Sequence, residues 1–275
     1  MGHQNTRTIK KRSTWPAVFN RPESMTFALL LLALIGASLL SEFFLDFNYI
    51  LRSFTLTAEL SIAALVLTMV IISGEIDLSA AANIALSACI FAYVQASGFP
   101  MTVAILAGLF AGFLMGSLNA ILVIVYQLPS IIVTIGTLIF YRGLAQVIAG
   151  DKSIRVPEWF IGINTKMLFG IPFPVVIFTM SALILGIVLG TTIFGRQIYQ
   201  VGTNNTAALH AGIKSNNIKF SLFVLLGIVS AACGIMAASR LGSVRYDLAL
   251  GGELQMVLMA MLGGTYIFGG RGTIL

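Results

Sequence analysis

Residues 101–126 read MTVAILAGLFAGFLMGSLNAILVIVY, 26 consecutive positions without a charged side chain. About 20 predominantly apolar residues suffice for an α-helix to cross the hydrocarbon core of a bilayer. The stretch exceeds that length, so the solvent it is built for is lipid. Within it Gly108, Gly112 and Gly116 recur every fourth residue and share one helix face. That spacing lets two backbones approach closely where lipid gives helices no hydrophobic reason to associate. Ala231, Ala232, Cys233 and Gly234, followed by Ala237 and Ala238, make a second small-residue stretch of the same kind. Both read as packing faces of a compact bundle.

The rest of the chain agrees with this stretch. Of 275 residues, 58% are hydrophobic and 9% are charged, against roughly 25% charged in an ordinary soluble domain. Mean hydropathy is +0.97. Further apolar segments fall at 25–44, 55–74, 79–96, 131–149, 172–193, 217–239 and 254–268. The expected fold is therefore all-α, a polytopic transmembrane helical bundle with about eight apolar segments in this chain. Arg7, Lys10, Lys11, Arg12 and Arg21 precede the first segment, and the net charge is +6. A basic head before an apolar run reads as a cytoplasmic anchor under the positive-inside rule. The remaining basic residues sit singly, without the patch that nucleic-acid binding needs. Residues 1–24 thus read as a cytoplasmic segment and 25–275 as the transmembrane domain. By parity the connections at 75–78, 127–130 and 194–216 fall on the cytoplasmic side. Those at 45–54, 97–100, 150–171 and 240–253 fall on the opposite side.

Polar interruptions are the candidates for function. Gly74-Glu75-Ile76-Asp77-Leu78-Ser79 places two carboxylates between two apolar runs. Charge at membrane depth is costly and tends to line a cavity or pathway. An ordinary short turn, with Asp77 or Ser79 as the next helix's N-cap, is the competing reading. Asn83, Thr137 and Gln146 complete the candidate substrate pathway with Glu75, Asp77 and Ser79. Asn83 and Gln146 equally suit hydrogen bonds between helices. Phe91, Tyr93, Phe140 and Tyr141 suit stacking on a ring or an interfacial position. Glu59, near the outer end of its segment, reads best as reaching the interface. Arg240, Arg245 and Asp247 stand in an outer loop, either as ordinary solvated charge or as a docking point for a delivery protein.

The longest inner connection, 194–216, carries Thr203-Asn204-Asn205-Thr206 before Ala207-Ala208-Leu209. Asn205 or Thr206 is expected to cap a short helix there, with Ala207, Ala208 and Leu209 as a docking face. Cys89 and Cys233 lie in apolar runs and read as small hydrophobes in packing. No Ser/His/Asp arrangement, metal cluster, cofactor motif or catalytic group is expected. The chain also lacks a Gly-x-x-x-x-Gly-Lys-Ser/Thr phosphate loop. Energy from ATP would have to come from another subunit.

Thr68 to Ser79 resembles the signature of permease subunits of bacterial ABC importers of the ribose and monosaccharide type. Glu75 stands where that family has its second glycine, and Ala80-Ala81-Ala82 where it has Val-Gly-Ser. Asn119 to Val123, Leu128 to Leu138 and Tyr141-Arg142-Gly143 resemble a second block of the family. Phe194-Gly195-Arg196 through Tyr199 and Gly202, then Asn205, Ala207, Ala208, Gly212 and Ile213, resemble its cytoplasmic coupling loop. Gly252-Glu253-Leu254, Leu262-Gly263-Gly264-Thr265 and Gly269-Gly270-Arg271-Gly272 resemble its C-terminal block. The four blocks stand in the family's order.

The resemblance implies a multi-pass subunit of the bacterial inner membrane that relays a monosaccharide or similar small polyol, or a sugar-like quorum signal. It implies ATP-binding cassette ATPase subunits beneath, a periplasmic or extracellular sugar-binding protein above, and a second permease subunit beside it. Gly195, Arg196, Gly202, Asn205, Ala207, Ala208 and Gly212 would couple to the ATPase. By the same resemblance the C-terminal block stops early, so a truncated and inactive permease fragment is one alternative. An ion-coupled secondary transporter using Glu59, Glu75 or Asp77 is the other.

Overall fold

The computed structural model describes residues 22–42, 44–162, 166–168 and 170–274. The basic head, with Arg7, Lys10, Lys11, Arg12 and Arg21, lies outside the described residues. Two compact units divide at residue 42. The first contributes one apolar helix, α1 (Pro22–Leu40).

In the second unit, proline and glycine mark where helices begin and end. Pro100, Pro129 and Pro172 stand immediately before α5 (Met101–Ile124), α6 (Ser130–Ala149) and α7 (Phe173–Thr191). A fixed φ and a missing N–H cost least at a helix start. The other helices are α2 (Phe47–Thr55), α3 (Ala58–Ile72), α4 (Ala80–Ala96), α8 (Ile193–Thr203), α9 (Asn205–His210), α10 (Ser215–Leu241) and α11 (Gly252–Leu262). Gly242, in the left-handed region at φ 72°, stops α10.

Each apolar segment of the sequence is thus an α-helix, but their lengths differ. Among the described residues, α5, α6, α7 and α10 are each long and apolar enough to cross a membrane. The pair α2 and α3, bent by 63°, is long and apolar enough when taken together, as a broken span or a re-entrant loop. The 17-residue α4 is buried over nearly its whole circumference, so its apolar character serves the protein core rather than lipid. The final segment, expected to reach 268, ends at Leu262, because Gly263 and Gly264 (φ 89°) turn the chain back.

Close packing around α4 and α10 organises the unit. Helix α10 lies against α3, α4 and α5, and α4 also contacts α6. The expected glycine face is the contact between α5 and α10. A methyl group at Gly112 would strike the Gly227 carbonyl, and one at Gly116 the Phe223 carbonyl. Gly234 meets the Ile84 carbonyl of α4 in the same way. Cys89 and Cys233 are buried within this packing as free thiols.

The connections sort into two ends. At one end, residues 75, 127–130, 205 and 216 surround a common cavity, which gathers the three connections assigned to the inner side. At the other, β1 (Ile154–Arg155) pairs antiparallel with β4 (Ser243–Val244), Ile154 opposite Val244. There the Gly162 N–H donates to the Ser239 carbonyl at 2.9 Å. A second short ladder, β2 (Met167–Leu168) with β3 (Ile171–Pro172), lies against α2.

Candidate translocation and coupling site

The break between α3 and α4 is held by a buried polar network. The Asp77 carboxylate accepts from the Ser79 N–H at 2.8 Å, the Ser79 hydroxyl at 2.7 Å and the Asn119 amide at 3.3 Å. The Asn119 amide also donates to the Ser79 hydroxyl at 2.7 Å. Tyr141 closes the network, its one hydroxyl proton shared between the Met115 carbonyl at 3.0 Å and the Asn119 side-chain carbonyl at 3.2 Å. Two hydrogen bonds tie the same break to α6: Ile76 N–H to the Ser130 hydroxyl, and the Thr134 hydroxyl to the Ile76 carbonyl. A buried polar group is costly unless partnered, and here α3, α4, α5 and α6 each need the others to satisfy it. Asp77 and Ser79 therefore do more than cap α4. They fix where four helices meet.

A second junction joins three of the sequence blocks, mainly backbone against backbone. Gly202 of α8 lies on the Ile72 carbonyl at the end of α3, where any side chain would collide. Gly269 packs on Gly74, and the Gly270 N–H donates to the Ile72 carbonyl at 2.8 Å. The Tyr199 hydroxyl donates to the Gly272 carbonyl at 2.7 Å. Burial raises the pKa of that phenol above its ordinary value, which keeps the donor protonated. At Gly202, helix α8 is thus seated on the helix break with no side chain between them.

Thr192 caps α8 by accepting from the Gly195 N–H at 3.1 Å. Asn204, not the expected Asn205 or Thr206, caps α9 by accepting from the Ala207 N–H at 3.0 Å. The reason is one of register: α9 already begins at Asn205, so the residue before it holds the extended capping conformation. Arg196 donates to the Thr191 carbonyl, and Asn205, Ala207 and Gly212 are exposed. Gly195 and Ala208 are buried. Gly195 packs on the end of α7, and Ala208 anchors α9 to the core instead of joining Ala207 and Leu209 on the open face. A groove of about 370 Å³ runs between α8 and α9, with Tyr199, Thr203 and Ala207 along it.

Several expectations are corrected by the packing. Glu59 does not reach the interface. It is buried and accepts from Arg240 Nε at 2.8 Å. Arg240 therefore stands in the last turn of α10 as a structural partner, not as free loop charge. Arg245 and Asp247 form an exposed pair at 3.2 Å. Phe91 and Tyr141 are core residues, Phe91 packing against Phe160 at 5.4 Å, whereas Tyr93 and Phe140 are exposed. Asn83 accepts from the Ser87 hydroxyl within its own helix, and Thr137 donates to the Thr134 carbonyl. Gln146 is exposed on the open face of α6, apart from the Asp77 network.

Two residues were given no role of their own in the sequence reading. Lys219 pairs with Glu75 at 2.5 Å, and Arg142 donates to the Tyr246 and Leu248 carbonyls at 2.9 and 2.6 Å. A lone cation inside an apolar run was the available signal, since such a charge needs a partner. Among the described residues no group of three His, Cys, Asp or Glu side chains could hold a metal ion.

Broken helices, a glycine-packed core and paired intramembrane charges define a polytopic transport subunit. Residues 49–275 match the family described as the branched-chain amino acid transport system / permease component, and the chain belongs to it. It is similar to the autoinducer 2 import system permease protein LsrD of Escherichia coli K12 and of Shigella flexneri. The identity in both cases is 32% over 255 residues, 90% of this chain and 77% of the relative. The Klebsiella pneumoniae protein of the same name is 32% identical over 260 residues, 92% of this chain and 78% of the relative. No solved structure matches the chain.

Proposed function

We propose that this chain forms part of the translocation pathway of an ATP-driven importer for a monosaccharide or similar small polyol, working with a second permease subunit. ATPase subunits dock in the groove between α8 and α9, and a solute-binding protein docks at the opposite end, near Arg245 and Asp247. The observation that carries this reading is the glycine junction. Displacement of α8 by a partner is transmitted to the α3–α4 break, because Gly202, Gly74 and Gly269 meet backbone to backbone. Asp77, Ser79, Asn83 and Thr137 serve the pathway by holding the helices that shape it. Gln146, on the open face of α6, is the polar side chain placed to meet solute or the second subunit.

An ion-gradient mechanism would need a carboxylate free to take up the coupling ion. Glu59, Glu75 and Asp77 are all engaged by other side chains, which favours ATP. The membrane is the bacterial inner membrane, with the α8–α9 end in the cytoplasm. The test is Ala207→Glu, which puts a charge into the docking groove at an exposed first-turn position where an acid suits the helix. In vesicles carrying the chain with its ATPase and binding protein, uptake driven by ATP should fall at least about tenfold, equivalent to about 1.4 kcal/mol of coupling. Thermal stability of the chain should be unchanged. Full ATP-driven uptake by this variant would overturn the docking assignment.

A further inference from the structure

Arg142 carries a positive charge two turns inside α6, about 10 Å below the end of that helix at Ala149. Among the described residues no carboxylate lies at ion-pair distance from it. One guanidinium nitrogen, Nη1, instead donates to the Tyr246 and Leu248 carbonyls. Its Nε is buried without a partner, and so is Oε2 of Glu253 in the first turn of α11. Glu253 and Asp247 are the carboxylates close enough to act on the Arg142 charge. Asp247 is already engaged by Arg245, so Glu253 holds the spare acceptor. A neutral donor could hold two carbonyls at far lower cost than a cation inside a membrane protein. The charge therefore calls for an anionic partner, which the two carbonyls do not supply.

The segment that Arg142 holds runs between Gly242 and Gly251, both left-handed at φ 72° and 79°. Glycine adopts that conformation without strain, and such positions absorb a change of φ and ψ. Between them, the N–H groups of Leu248, Leu250 and Gly252 donate to the Arg245, Asp247 and Ala249 carbonyls and close three successive turns. The turns hold one another, so the segment shifts as a unit. Its polar anchors are the β1–β4 pair at its start and Arg142 in its middle. We infer that Arg142 is a positioning residue for import: it fastens residues 245–250 to α6, and it passes to Glu253 when the solute-binding protein displaces that segment. The exposed pair Arg245 and Asp247 is the handle on the segment. Gln146, one turn beyond Arg142, is exposed on the helix that is released. Docking outside thus reaches α6 through one side chain with two alternative sets of acceptors, a two-state element. The inference rests on the proposed docking of the binding protein at this end.

The test uses the chain assembled in vesicles with its ATPase and binding protein. Leu250→Cys, exposed on the segment, reports through its rate of maleimide labelling, with the parent chain and its buried Cys89 and Cys233 as blank. ATP hydrolysis with and without the binding protein reports the coupling. With Arg142 and Glu253 intact, the binding protein should change the labelling rate several-fold. An unchanged rate removes the docking reading, and the inference with it. Arg142→Lys keeps the charge but lacks the planar fork that presents donors in two directions. Labelling without the binding protein should then rise several-fold, and stimulation of ATP hydrolysis by the binding protein should fall several-fold. Glu253→Gln leaves both carbonyl bonds in place, so labelling at rest should stay slow while stimulation falls by a similar factor. With docking intact, parent-like stimulation in either variant overturns the inference alone. So does fast labelling at rest in Glu253→Gln, since the glutamate would then be holding the segment down. Should Arg142→Lys fail to assemble, Glu253→Gln decides by itself.

Discussion

Asp77 shows how one side chain holds four helices. Its carboxylate is the acceptor for Ser79 and Asn119, and without it the buried Ser79 N–H and the Asn119 amide lose a partner. Asp77→Ala should destabilise the chain by about 1–3 kcal/mol, the cost of stranding buried donors. Thermal unfolding in detergent reads this directly, and an unchanged midpoint would show that the network holds nothing. Glu59 and Arg240 make a comparable point for charge. Removing either partner breaks an ion pair at a buried carboxylate, so Glu59→Gln or Arg240→Gln should each cost up to about 3 kcal/mol. The exchange Glu59→Arg with Arg240→Glu should recover part of that loss. If the double variant melts below both single variants, the pair is not what stabilises this end.

At the scale of elements, backbone contact replaces side-chain interdigitation. Helices α5 and α10 touch at Gly112, Gly116 and Gly227, so there is no soft side chain to rearrange when bulk is added. Gly112→Val should force the two helices apart and cost about 1–3 kcal/mol as overpacking. Gly143→Val on α6, where nothing lies within 4 Å of the added carbon, should leave stability nearly unchanged. Comparing the two unfolding midpoints checks this, and equal losses would mean that helix propensity rather than close approach sets the effect. The repeat of glycines was legible in sequence as a packing face. Its partner was not, because spacing along one helix carries no information about which other helix approaches it.

For the whole molecule, the decisive property is that connections sort into two ends. Residues 75, 127–130, 205 and 216 surround one cavity, while 154–155 and 243–244 pair at the other end. Cysteines introduced at Ala207 and at Tyr246 should therefore label with an impermeant maleimide from opposite faces of a sealed membrane. Labelling of both from one face would break the assignment. Parity along the chain assigns these same connections to two opposite sides, since each helix that crosses reverses the direction of travel. It did not separate α4, buried inside the bundle, from the helices with an open apolar face, because a buried helix and a lipid-facing one are equally apolar in sequence.

Composition and the uncharged stretch at 101–126 by themselves determined that this is a helical membrane protein. The reason is that only helices and closed barrels satisfy their backbone polar groups in lipid, and a long unbroken apolar run does not alternate as a barrel strand does. The ordered motif blocks determined the family. Tertiary structure alone decided what those motifs do to one another. It turned Asp77 from a cap into a four-helix tie, gave Glu75 and Glu59 their partners Lys219 and Arg240, and seated Gly202 on the end of α3. These pairings join residues far apart in the chain, 144 positions for Lys219 and Glu75. No local pattern encodes which distant side chain neutralises a buried charge, only that one must.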